Sequence, residues 1–275
     1  MDRRYFIAGL TCLLALPALS AQAAERLVLG INTGMASADN QLDLREKYRP
    51  LANYIGEITG RPVRLEVSQN LDSSERRLQR DAYDLFLGPP QIIAQAMKDA
   101  EYVPLVRYSG KIRSAFVVME ASGISRLSDT RGKKIGLPED SSLPSYLAFA
   151  KLRFSRIKPV EHFAEVYHLK FQDAVMDALK IGRVDIAVAT SGYAKKWVQD
   201  NPGSKIIDET YEVPHFALAA SPALSDAEQQ KIRRALIDAQ DSEKGAVMLE
   251  TLGRKSGFIA TSKDEFSPLI RLFGM

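Results

Sequence analysis

Four short stretches place small, hydroxylated or cyclic residues directly after apolar runs. They are Asn32-Thr33, Gly88-Pro89-Pro90, Asp140-Ser141-Ser142 and Thr190-Ser191. Residues of this kind open helices. Ligands of open α/β sheets bind outside the carboxyl ends of the strands. These four stretches are therefore the candidate ligand edges. The chemistry they offer is binding rather than bond-making. Each also has a plainer use: Ser and Thr cap helices, and Gly-Pro ends strands.

Bond-making constellations are poor. The three histidines are His162, His168 and His215. His162 and His168 do not have the i, i+4 spacing of a metal pair on a helix. G-x-S-x-G, P-loop and G-x-G-x-x-G patterns are lacking. The dispersed acids cannot be paired from sequence. No enzyme, cofactor or metal is expected.

The elements that must position the candidate residues read as α/β. Arg26 to Ile31 is a first strand. Leu44, Tyr48, Leu51, Ala52, Ile55 and Ile58 then recur at helical spacing, with Pro50 predicting a kink or a helix start. Gly60 ends that helix. Val63, Leu65 and Val67 alternate with charges as a second strand. Asp72 and Glu75 have capping-box spacing for a short helix. Asp84 to Leu87 is a third strand, and right-handed crossovers make the three parallel.

About a hundred residues later the pattern returns. Asp81-Ala-Tyr-Asp-Leu-Phe-Leu-Gly-Pro-Pro90 is echoed by Gly182-Arg-Val-Asp-Ile-Ala-Val-Ala-Thr-Ser191. Each passes through an Asp, Asp84 or Asp185, into a buried strand and stops at a candidate edge. Two such units predict two α/β lobes with a cleft between them. The helical tail after residue 220 is too short for a third domain and returns to the first lobe. Crossings near 110–115 and 213–217 then form a hinge. The expected division is 24–112 with 217–275 in one lobe and 113–216 in the other.

The composition, 45% hydrophobic and 26% charged over 275 residues, is that of a globular chain large enough for two lobes. A net charge of +3 without a basic stripe gives no nucleic-acid footprint. Residues 1–23 read as a signal peptide. Arg3-Arg4 precede an apolar run from Tyr5 to Leu19, too short for the about 20 residues of a bilayer span. Ala21-Gln22-Ala23 is the cleavage site. Arg3-Arg4 fits both a general secretory and a twin-arginine route. The one cysteine, Cys12, lies inside this segment.

The chain resembles the periplasmic substrate-binding proteins of phosphonate, phosphite and phosphate ABC importers. The likeness rests on Lys47-Tyr-Arg-Pro-Leu-Ala-Asn-Tyr-Ile55, Asp84 to Pro90, Arg113-Ser-Ala-Phe-Val-Val118, Ser125 to Lys133 and Asp173 to Asp185. It implies a type 2 periplasmic binding protein clamshell with a two-crossover hinge. It further implies a monomer that captures a small polar, oxyanion-type solute for an ABC permease. A sensory adaptor docking on a sensor kinase is the alternative. The family's anion site is a Ser-Thr-Ser run, which aligns here with Asp140-Ser141-Ser142. Gln172 stands where a His is common, and Ile112 and Ile92 where Tyr is common. Ser114 follows the Arg of another family position. An acid at 140 inside the pocket would repel a dianion by roughly 4 kcal/mol at about 4 Å.

Exported protein should begin at or near Ala24 and contain no thiol. Intact mass of periplasmic material checks this. A chain retaining Cys12, or bearing lipid on it, would contradict the reading.

Overall fold

Buried apolar runs build two sheets, and segments of helical spacing between them build the layers that cover both. The structure, a computed structural model, describes residues 25–34 and 40–275. The signal segment and its cleavage site lie outside the described residues.

The chain opens with β1 (Leu27–Asn32), α1 (Gln41–Thr59), β2 (Val63–Ser68), α2 (Leu71–Leu78), β3 (Leu85–Gly88), α3 (Pro90–Ala100) and β4 (Val103–Tyr108). A two-residue strand, β5 (Lys111–Ile112), leads into the second sheet. That part comprises β6 (Ser114–Met119), β7 (Lys134–Leu137), α4 (Leu143–Phe154), α5 (Pro159–His162) and β8 (Glu165–His168). It continues through α6 (Gln172–Lys180), β9 (Ile186–Thr190), α7 (Ser191–Asp200) and β10 (Ser204–Glu209). Then β11 (Val213–Pro214) returns to β12 (Ala217–Ala220), α8 (Asp226–Ile237), α9 (Glu243–Thr251), β13 (Phe258–Ala260) and α10 (Lys263–Phe273).

The first sheet has the order β13-β4-β12-β3-β1-β2, and the second β10-β6-β9-β7-β8. β1, β2 and β3 are parallel, as are β7, β8 and β9. The two crossover strands, β5 and β11, pair antiparallel with each other, Ile112 opposite Val213. Thr210 ties the second sheet to that crossing: its hydroxyl accepts the Ser114 N–H at 2.9 Å. The protein is thus a two-lobed α/β clamshell joined by two crossovers.

The echoed aspartates do the same job in each lobe. Asp84 Oδ2 accepts the Val28 N–H at 2.6 Å, and the Asp84 N–H donates to the Val28 carbonyl. Asp185 Oδ2 accepts the Lys134 N–H at 2.8 Å, and the Asp185 N–H donates to the Lys134 carbonyl. Each Asp brackets the start of a central strand onto its parallel neighbour.

Two local expectations change. α1 does not start at Pro50; it starts at its Asn40 cap and runs through the proline. Leu44 and Tyr48 before the proline and Leu51 and Ile55 after it share one buried face. Their burial, about 2 kcal/mol each, outweighs the roughly 3 kcal/mol a mid-helix proline costs. The cap of α2 is Asn70, which accepts the Ser73 N–H at 2.7 Å, rather than an Asp72–Glu75 box. At α8, Ser225 Oγ caps the helix, accepting the Glu228 N–H at 3.4 Å and donating to the Glu228 carboxylate at 2.7 Å.

Apolar packing crosses the cleft. Leu143 and Leu147 of α4 join a cluster with Phe86, Ile92, Phe266 and Phe273 of the first lobe. The Tyr146 and Phe273 rings lie 5.2 Å apart, and Arg153 donates to the Leu272 carbonyl.

Replacing either bracket aspartate by Ala should cost about 2 kcal/mol, the value of hydrogen bonds to a charged group. Chemical denaturation of Asp84→Ala and Asp185→Ala measures it. A loss under about 0.5 kcal/mol at both sites would contradict the bracket role.

Candidate ligand-binding site

The carboxyl ends of β1, β3, β7 and β9 open onto one cavity of about 510 Å³ lined from both lobes. Thr33 and Gly34 enter it after β1, Pro89 and Gln91 after β3, Ser142 to Pro144 after β7, and Thr190 to Gly192 after β9. Leu71 and Gln172 bring the starts of α2 and α6 to the same space. Five helix N-termini therefore surround it.

Four of these five helices have no side-chain cap. Pro89, Ser142, Phe171 and Thr190 sit at the N-cap positions of α3, α4, α6 and α7, and none accepts a first-turn N–H. Ser142 Oγ instead donates to Ser145 Oγ at 3.1 Å. Among helices whose starts do not line the cavity, α1, α8 and α9 are capped by Asn40, Ser225 and Ser242, while α5 and α10 have no side-chain cap. Uncapped N–H groups at a helix start are donors awaiting an acceptor.

The expected site residues divide. Thr33, Pro89, Ser142, Gln172, Thr190 and Ser191 line the cavity. Gln172 Oε1 accepts both the Thr190 N–H at 2.7 Å and its hydroxyl at 3.0 Å, which fixes the loop after β9. Asn32, Gly88, Pro90, Ser114, Asp140 and Ser141 do not line it. Asn32 is fully buried and holds the loop after β1, donating to Ser74 Oγ at 3.0 Å and accepting the Gly34 N–H at 2.9 Å. Gly88 is required by space, because a Cβ there would lie 2.4 Å from the Phe86 ring. Pro90 is the buried first residue of α3, and Ser114 is buried within β6.

Asp140 is the main correction. Its side chain is 75% exposed and sits 3.0 Å from His168 Nε2. It lines a separate depression with Glu139, Ser141, Asp72 and His168. Its carboxylate therefore does not line the cavity between the lobes. Only the Ser141 backbone reaches back, its carbonyl accepting Gln91 Nε2 at 3.1 Å across the cleft.

Several lining residues escaped the sequence reading: Gln91, Lys111, Arg113, Lys195, Glu212, His215, Phe216 and Arg254. The crossover positions were the available signal for Lys111 to Arg113 and Glu212 to Phe216. Nothing in the sequence marks Arg254, which arrives from the turn after α9.

These residues set the charge of the site. Arg113 pairs with Glu209 at 3.0 Å and with Glu212, and Lys195 pairs with Glu209 at 3.3 Å. Lys111 and Arg254 have no ion pair among the described residues. The Arg254 guanidinium lies 4.5 Å above the Tyr108 ring. His215 sits edge-on to the same ring and accepts the Phe216 N–H on Nδ1 at 2.7 Å. That bond places its proton on Nε2. Burial, and then Arg254 and Arg107, hold its pKa down at about 4. Among the described residues no His, Cys, Asp or Glu cluster is placed to hold a metal ion, and no helix is long and apolar enough to cross a membrane.

Two α/β lobes, two crossovers and a cleft ringed by helix starts define a bilobal solute-binding protein. The chain belongs to the family described as ABC transporter, phosphonate, periplasmic substrate-binding protein, whose model matches residues 33–266. This is a family of transport proteins rather than an enzyme class. Solved structures share the fold. XAC2383 from Xanthomonas citri, bound to ATP, is 18% identical with a TM-score of 0.75, covering 90% of this chain and 96% of that one. PhnD1 from Prochlorococcus marinus, in complex with methylphosphonate, is 13% identical at 0.74, with the same coverages. The phosphonate transporter binding protein PA3383 from Pseudomonas aeruginosa is 17% identical at 0.71, covering 90% and 85%.

His215 gives a pH signature. Its folded pKa of about 4 lies below the ordinary 6.5, so the unfolded chain takes up its proton first on acidification. Stability from this group is full above about 6.5 and is lost as pH falls toward 4, by about 3 kcal/mol in all. Denaturation of native and His215→Gln protein across that window checks it. An unchanged slope in the variant would contradict the assignment.

Proposed function

We propose that this chain is the capture subunit of an ABC importer for a small anionic solute, held between the lobes at the helix starts. The observation that carries this reading is the set of uncapped helices. α3, α4, α6 and α7 bring helix starts without a side-chain cap, and partial positive charge of about half a unit per helix, to one cavity. Some first-turn N–H groups are already bonded, that of Ser191 to the Arg113 carbonyl and that of Ala174 to Asp173. Excess cationic side chains on the same walls add to that field. The absence of Asp140 from the cavity removes the chief objection to an oxyanion. The methylphosphonate complex of the similar Prochlorococcus protein supports an oxyanion of that type here.

The mechanism is capture by closure. In the open form the uncapped N–H groups are hydrated. The solute oxygens replace that water with fixed donors. The lobes then close about β5 and β11, bringing Gln91 to the Ser141 carbonyl and α4 onto α10. The closed monomer is the form presented to the permease, after export and removal of residues 1–23.

A ligand that binds only the folded form adds RT ln(1 + [L]/Kd), about 2.7 kcal/mol at a hundredfold excess over Kd. A thermal-shift screen of phosphonates, phosphate, sulfate, amino acids and organic acids should yield an anionic hit. Scattering should show compaction with it. Hits confined to neutral or cationic solutes, or a radius of gyration unchanged by the hit, would overturn the reading.

A further inference from the structure

The cavity has two differently built positive ends. On the second-lobe side lie the starts of α4 and α7, where Lys195 is neutralised by Glu209. At the crossover end lie Lys111 and Arg254, and neither has a carboxylate partner among the described residues. The acid at this end, Glu212, is occupied by Arg113. The crossover end therefore holds two uncompensated positive charges.

The connections bring both cations to the cavity wall beside the crossover. Lys111 pairs with Pro214 across the β5–β11 ribbon, next to His215. His215 packs edge-on against Tyr108, and Arg254 lies over the face of that ring. His215 is neutral with Nδ1 taken, so it does not offset a ligand charge and leaves Nε2–H as a donor.

We propose that the solute carries two separate anionic groups, one held at the helix starts of the second lobe and the other by Lys111 and Arg254 at the crossover end. This rests on the capture reading above and deepens it. A single compact oxyanion would fill only part of a cavity of about 510 Å³ and would leave one positive end unmatched. A solute with an ammonium tail would set that tail against two cations. A phosphonate bearing a carboxylate, or a dicarboxylate, matches both ends. The second group gains charge-assisted hydrogen bonds. Both cations are solvent-exposed at the mouth, so screening moderates the gain.

The test is calorimetry with matched probes: methylphosphonate, phosphonoacetate and 2-aminoethylphosphonate, with acetate and malonate as a carboxylate pair. The expected order is phosphonoacetate, then methylphosphonate, then 2-aminoethylphosphonate. The first should bind about tenfold more tightly than the second, the scale of one hydrogen-bonded charge. Malonate should likewise exceed acetate. Lys111→Glu should shrink the preference for the doubly anionic probe and improve the aminoethyl compound. Arg254→Gln should shrink the preference alone. Melting curves confirm that both variants fold, and native protein carries the test if one does not. Methylphosphonate binding as tightly as phosphonoacetate, or 2-aminoethylphosphonate binding best, overturns the two-anion proposal and leaves anion capture standing. Failure of every anionic probe, phosphate included, overturns the capture reading and this proposal with it.

Discussion

Asp84 and Asp185 hold the first residues of β3 and β9 to the neighbouring strands β1 and β7, each through a carboxylate bond and a main-chain bond. A central strand of four or five residues has little length over which to correct its register. Slipping it by one residue would turn its side chains to the other face. The bracket fixes where each strand begins and therefore where it ends. Those ends, Gly88 and Thr190, deliver the starts of α3 and α7 to the cleft. The site is thus built from backbone geometry that two carboxylates keep in place.

Caps follow the surroundings only in part: α2 at the cavity is capped by Asn70, and α5 and α10 away from it have no side-chain cap. A helix start that faces bulk water can be finished by water or by a side chain, and α1, α8 and α9 use Asn or Ser. A helix start that faces the cleft is more useful unfinished. Its N–H groups are then available to a solute, at the cost of stability in the empty protein. Closure joins this local chemistry to the lobes. α4 brings its start to the cavity while its flank, through Leu147 and Tyr146, packs on the first lobe near Phe273. Cavity lining and lobe contact are therefore made by one element.

Much of this was legible in the sequence because it is local. Period and length mark β1, β3, β9 and α1, and the repeated Asp-plus-apolar pattern marks the two lobes. Gly88 and Pro89 announce a strand end that must turn sharply. Where the reading failed, a distant partner decided the outcome. Asp140 faces outward, 3.0 Å from His168 at the end of β8. Asn32 turns inward because Ser74 and Asn70 of a different element take its amide. Arg254 reaches the cleft only because α9 and β13 place their connecting turn beside Tyr108. No spacing along the chain encodes that approach. Pro50 misled because a propensity rule was set against a buried face that overrides it.

The central claim is that uncapped helix starts and unpaired cations select an anion between the lobes. Native mass spectrometry of freshly purified protein addresses it most directly, since a closed clamshell releases its solute slowly. The account predicts a small acidic adduct that stays with the folded protein and is lost on unfolding. A neutral or cationic adduct with that same dependence on the fold would contradict it.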